Sequence, residues 1–156
     1  MKQALSTLLL IVPFFMAPAL AQDAPQGQPD PSHEAVLARG KVMTDMGKAL
    51  RTLQLGLRQK DDIGSLLLAA ELVNMNAELI TNVFQTEAYE PGSEALPAIW
   101  QNWEDFSNKA EAALEQTAAL VDAIDMEDLR EANSLLRKVT ADCAACHDVY
   151  RGESDR

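Results

Sequence analysis

The sequence predicts an all-α fold, an antiparallel up-down-up-down left-handed four-helix bundle. Three observations point to it. From about residue 34 onward apolar residues recur at alternating intervals of three and four. No segment alternates with the period of two that a half-buried strand requires. Turn-forming residues interrupt the pattern at three places, which divides it into four stretches. A chain of 156 residues that is 47% apolar suits one domain. Four helices of about 25 residues, each about 37 Å long with one inward seam, satisfy that pattern as a bundle.

The start of the chain, "MKQALSTLLLIVPFFMAPALAQ", stands apart from this pattern. Lys2, an apolar run and the small residues Ala19 and Ala21 have the form of a secretory signal peptide, so residues 1–21 are expected to be removed by cleavage after Ala21. An uncleaved anchor fits less well, because Pro13 and Pro18 break the run. Residues 22–32 contain Pro25, Pro29 and Pro31 and no large apolar side chain, which predicts a disordered tether ahead of a domain at 33–156.

The first helix is expected from about Glu34 to Gln59 with Ser32 as its N-cap. Its seam is Val36, Arg39, Met43, Met46, Leu50, Leu53 and Leu57. The second starts after Asp61 or Asp62 and ends near Phe84 or Gln85, with Leu66, Ala70, Val73, Ala77 and Ile80 inward. After the loop "TEAYEPGSEAL", Pro97 suits the first turn of a third helix that runs to about Ala123 through Ile99, Trp103, Phe106, Ala110, Thr117 and Leu120. The last begins near Glu127 and places Leu129, Ala132, Leu136, Val139, Cys143, Cys146 and Tyr150 on one stripe.

The charge balance excludes some partners. With 24 acidic against 13 basic residues the formal net charge is −11, which disfavours nucleic acid and anionic lipid. It suits a basic docking patch on another protein, although most of these charges belong on the solvated faces of helices.

The chemistry is concentrated in "ADCAACHDVYRGESDR", which holds both cysteines of the chain, Cys143 and Cys146, followed directly by His147. At about 100° per residue, Cys146 lies about 60° to one side of Cys143 and His147 about 40° to the other, so all three face one side of the helix. A redox Cys-x-x-Cys prefers a helix N-terminus in a βαβ setting, whereas this pair lies near a C-terminus in an all-helical chain. A zinc site needs a fourth ligand, and the only other histidine is His33, far along the sequence. A disulfide between i and i+3 would strain the helix and leave His147 without a role. Covalent haem attachment uses every part: two thiols one turn apart add to the porphyrin vinyl groups, and the adjacent imidazole reaches the iron. Attachment of this kind occurs outside the cytoplasm, in agreement with the signal segment, and the expected location is the periplasm.

Four helices with a single "CAACHDVYR" near the C-terminus resemble the class II c-type cytochromes, the cytochrome c′ family. The likeness covers about residues 33 to 152, and "LPAIW" and "ARGKVMTDMG" are its other specific parts. It implies one haem c within the bundle, attached through Cys143 and Cys146, with His147 as the proximal ligand. It also implies that Arg39 contacts a propionate. Read alone, a guanidinium on the inward stripe needs an anion or an escape to water. Arg151 matches the family arginine after the motif, Trp100 the tryptophan that packs near the ring, and Glu94 an acidic loop position near the haem edge. Trp103 reads as ordinary core.

Met43 decides between two mechanisms that the sequence leaves open. In one branch of the family a methionine in this setting ligates the iron, giving a low-spin periplasmic electron carrier that meets other redox proteins. In the other the iron is five-coordinate and high-spin and binds NO or CO, and Met43 is packing. The pair Met43 and Met46 with no distal aromatic neighbour leans toward electron transfer. With His33 and His147 the only histidines, no acid/base pair stands beside the haem, and no enzymatic activity is expected. The resemblance further implies a homodimer through the first two helices.

Overall fold

The computed structural model describes residues 30–152. The expected signal segment 1–21 and most of the tether 22–32 lie outside the described residues. Helix α1 spans Pro31–Gln59, α2 Ile63–Val83, α3 Ala98–Gln101, α4 Trp103–Asp125 and α5 Leu129–Tyr150.

The start of α1 differs from the sequence reading. Asp30, not Ser32, is the N-cap, its carboxylate accepting from the Ser32 amide at 2.9 Å, and Pro31 opens the helix. Proline at the first helical position lacks an N–H that would have no partner there, so the last residues of the supposed tether are helical instead. At the other end Lys60 takes a left-handed conformation (φ 59°, ψ 47°) and donates its amide to Gly56 O. Gly56 lets the turn close: a Cβ there would stand 2.7 Å from Leu66 Cδ2 and 3.0 Å from Asp61 Oδ2. Asp62 then caps α2 by accepting from the Ser65 amide at 3.0 Å, and Asp128 caps α5 by accepting from the Glu131 amide at 3.0 Å.

The single third helix expected from Pro97 to Ala123 is two helices. At Asn102 (φ −128°, ψ 46°) the backbone leaves helical geometry, and the Asn102 amide side chain donates back to Ala98 O at 3.1 Å. This local bond competes with continuation of the helix. One turn, α3, is thereby set apart from the long α4.

Helix α1 packs along α2, α2 along α4, and α4 along α5, in the antiparallel order of an up-down-up-down bundle, whereas α1 and α5 barely meet. The closed end of the bundle is aliphatic, with Leu53, Leu66, Leu120, Ile124, Ala132 and Val139 buried in one cluster. The other end is aromatic, built on Phe84, Ile99, Phe106 and Tyr150. The first seam also splits. Of its residues Met46, Leu53 and Leu57 are buried, together with Val42 and Ala49, which the sequence reading left off the seam, while Val36, Met43 and Leu50 are half-buried and line a cavity.

Candidate functional site

Where α1 and α5 separate, the bundle encloses a cavity of about 710 Å³, a size suited to an organic cofactor. Val36, Gly40, Met43, Gly47 and Leu50 of α1 form one wall, and Asp142, Cys143, Cys146, His147 and Tyr150 of α5 form another. Ile80 of α2, Phe84 at the C-cap of that helix, and Phe106, Lys109 and Ala110 of α4 lie between them. The loop before α3 closes the remaining side through residues 92–95.

That loop is fastened to the end of α5 by backbone. Ala95 and Arg151 form an isolated antiparallel bridge. The Leu96 amide donates to Tyr150 O at 3.0 Å and the Gly152 amide to Glu94 O at 2.7 Å. Arg151 Nε adds an ion pair with Glu94 Oε2 at 2.5 Å. Glu94 and Arg151, assigned separately from the sequence, are thus partners on one rim of the cavity.

Both cysteines are half-buried free thiols. Burial, with Asp142 nearby, raises the Cys143 pKa, and burial, with Cys143 nearby, raises that of Cys146. A redox Cys-x-x-Cys needs a stabilised thiolate, and these thiols are pushed the other way. His147 keeps more exposure than either cysteine. What burial it has, together with Arg151, lowers its pKa and favours the neutral imidazole that coordinates metals. His33 bonds Glu90 Oε2 through Nδ1 at 2.6 Å and does not line the cavity.

Arg39 does not escape to water. It is 4% exposed, with Nε donating to Ala35 O at 3.2 Å and Nη2 to Ala88 O at 3.0 Å. Its guanidinium carbon lies 5.4 Å from the Phe84 ring centre and 5.3 Å from that of Trp100. Nη1 is buried without a hydrogen-bond partner among the described residues. A buried cationic donor left unpaired is costly, and in a cavity wall it calls for an anion supplied from the cavity. Trp100 itself is not among the cavity-lining residues. It backs Arg39, held by its indole N–H donating to Phe84 O at 2.8 Å and by the edge-on Tyr89 ring at 5.3 Å. Trp103 stacks on Phe106 at 5.6 Å as core.

Sequence reasoning missed one feature. The Tyr150 hydroxyl donates to Asp105 Oδ2 at 2.5 Å, and Lys109 Nζ donates to Asp105 Oδ1 at 3.0 Å, tying the haem-motif helix to α4. The only signal in the sequence was the position of Tyr150, seven residues after Cys143 on the inward stripe.

The residues present fit a covalently held haem. Two neutral thiols and an imidazole share one wall, a buried donor waits for an acid group, and the apolar volume between them belongs to one cavity.

The sequence matches the family described as Cytochrome C′ over residues 34–151. It is 32% identical over 142 residues to cytochrome c-554 of Cereibacter sphaeroides, covering 86% of this chain and 88% of that one. It is 37% identical over 83 residues to cytochrome c-556 of Agrobacterium tumefaciens, covering 53% of this chain and 66% of that one. Among solved structures, cytochrome c prime from Shewanella frigidimarina superposes with a TM-score of 0.73 at 23% identity, over 81% of this chain and all of that one. The nitric oxide complex of a mutant cytochrome c prime from Alcaligenes xylosoxidans gives 0.72 at 24% identity, over 79% of this chain and 97% of that one. At these identities the structural likeness establishes the fold.

Proposed function

The chain belongs to the cytochrome c′ family and carries haem c, and from that premise we propose that it is a monohaem periplasmic electron carrier with His147 as proximal and Met43 as sixth iron ligand. A haem in this cavity supplies a one-electron ferric/ferrous couple. Cys143 and Cys146 would tether it through thioethers. Arg39 would use Nη1 to bind a propionate, with Phe84, Trp100 and the Ala88 carbonyl keeping the guanidinium in place. Glu94 and Arg151 would close the rim beside it.

The observation that carries this reading is the placement of the two methionines. Met43 is half-buried and lines the cavity from α1, while His147 lines it from α5, a helix that α1 barely touches. Met46 reaches the same cavity, but it is 6% exposed and packs with Ala49, Val73 and Ala77 in the core. A thioether on a facing wall is a suitable soft ligand for iron. Saturated coordination leaves little to reorganise when an electron moves.

The second reading is a five-coordinate iron that binds NO or CO. It is favoured by Gly40 and Gly47, which flank Met43 on the cavity wall and where an added Cβ would meet nothing within 4 Å among the described residues. Carbon monoxide separates the two readings. With Met43 as ligand, the ferrous protein is low-spin and binds CO slowly, Met43→Ala becomes high-spin and binds CO readily, and Met46→Ala leaves the spectrum unchanged. A tethered thioether competes at high effective concentration, so an outside gas must displace it. A wild-type protein that is already high-spin and takes up CO rapidly would transfer the function to gas binding.

Periplasmic location is supported by the signal-like residues 1–21 and by where thioether attachment takes place. A homodimer through α1 and α2 is supported by Leu68, Leu72, Met75 and Leu79, exposed along α2 at the three-and-four spacing of a helix–helix seam. Sedimentation should give a dimer that Leu72→Glu converts to a monomer. A wild-type monomer at micromolar concentration would remove the dimer.

A further inference from the structure

His147 sits in the final turn of α5. The last intrahelical bond there is the Arg151 amide donating to His147 O at 3.0 Å, and terminal turns fray when nothing holds them. A ligand in such a turn has a fixed orientation only if the turn is anchored from outside the helix. Most of the anchors are backbone bonds to the loop before α3, or the partly exposed pair Arg151–Glu94. One anchor is a side chain inside the bundle.

Tyr150 is 4% exposed. On α5 it falls about 20° from Cys143, on the face that carries the cavity-lining cysteines and one turn beyond His147. Its ring meets Phe106 of α4 edge-on at 5.3 Å and 87°. Its hydroxyl crosses to the neighbouring residue of α4, donating to Asp105 Oδ2 at 2.5 Å, while Lys109, one turn along α4, holds the other carboxylate oxygen at 3.0 Å. Both oxygens of Asp105 are therefore oriented. The Tyr150 carbonyl meanwhile accepts from the Leu96 amide at 3.0 Å, so one residue joins α5 to α4 and to the loop that closes the cavity.

We propose that Tyr150, acting through Asp105, is a positioning residue that locks the last turn of α5 against α4 and thereby sets the orientation of the His147 imidazole toward the iron. This rests on the reading of His147 as the proximal ligand. The bond is charge-assisted, because the Tyr150 hydroxyl and then Lys109 hold the Asp105 carboxyl below the usual carboxylate range. It acts as a second contact behind a metal ligand, the kind that fixes imidazole orientation and tunes ligand strength. The ring of Tyr150 fills the core and the hydroxyl makes the lock, so Tyr150→Phe separates the two roles.

The test compares holoprotein of wild type, Tyr150→Phe, Asp105→Ala and the double variant by ferric EPR and midpoint potential, with intact mass and thermal midpoint recorded for each. All four should carry one covalent haem. Each single variant should shift the g-values and raise the potential, as a loosened imidazole stabilises ferric iron less. The double variant should match Asp105→Ala alone, since Tyr150→Phe has no bond left to remove once Asp105 is gone. The Asp105 side chain is 54% exposed, so Asp105→Ala provides the measurement even if Tyr150→Phe is poorly folded. Wild-type g-values and potential in Tyr150→Phe, with only a lower thermal midpoint, would reduce Tyr150 to packing and overturn the proposal. Additive shifts in the double variant would do the same, by making Asp105 a mere nearby charge. If His147 is not the ligand, His147→Ala will retain the wild-type spectrum, a failure visible apart from the others.

Discussion

The two ends of the bundle are made from the same helices and differ in what completes them. At one end Leu53, Leu120, Ile124 and Ala132 are fully buried against one another, and capped turns at Lys60 and at Asp128 close the chain over them. At the other end α1 and α5 part, aromatic rings replace aliphatic chains, and a guanidinium nitrogen is buried with no partner among the described residues. The first end is finished by its own side chains. The second is shaped for a molecule that the polypeptide does not supply. Stability can therefore be concentrated at one end while chemistry is held at the other, and substitutions at the two ends should have separable effects.

The sharpest contrast comes from His147→Ala. It should abolish the native spectrum and redox couple while leaving the thioethers intact, because no second histidine lines the cavity among the described residues. Retention of the wild-type spectrum would break the assignment of the two ends. At the closed end, Leu120→Ala should cost about 2–5 kcal/mol of stability, the usual range for emptying a buried leucine site, with absorption and potential unchanged in denaturant titration and voltammetry. A large spectral change would mean that the ends are coupled. Arg39→Leu should be smaller in stability but visible in function. It removes a cation that the cavity has reserved for an anion, so the midpoint potential and its pH dependence should change while the helical content stays the same. An unchanged potential would mean that no propionate reaches Arg39.

The closed end was largely legible in the sequence, because a seam buried against other helices shows as apolar spacing, and Leu66, Ala70, Leu120, Leu136 and Val139 all lie where that spacing puts them. The open end was legible where covalent chemistry leaves a motif, at Cys143, Cys146 and His147, and in part through the family resemblance, which pointed to Arg39, Met43, Glu94 and Arg151, all on the cavity, and to Trp100, which stands behind it. On α1 the spacing merged two faces. Val42 and Ala49 pack inward while Val36, Met43 and Leu50 look onto the cavity, and a stripe of apolar residues does not say whether it meets a helix or a ring. The break at Asn102 was hidden because neither proline nor glycine marks it. The Tyr150–Asp105 bond was hidden for a different reason: its partners are 45 residues apart, and an aspartate in the first turn of α4 reads equally well as a favourable charge at a helix N-terminus.

The claim that the open end exists to hold a covalently attached haem is tested most directly by the intact mass of the purified protein after acid–acetone extraction. The expected result is the polypeptide plus one haem, lost when Cys143 and Cys146 are both replaced by Ala. A bare polypeptide mass from the wild-type protein, with all pigment in the solvent, would contradict it.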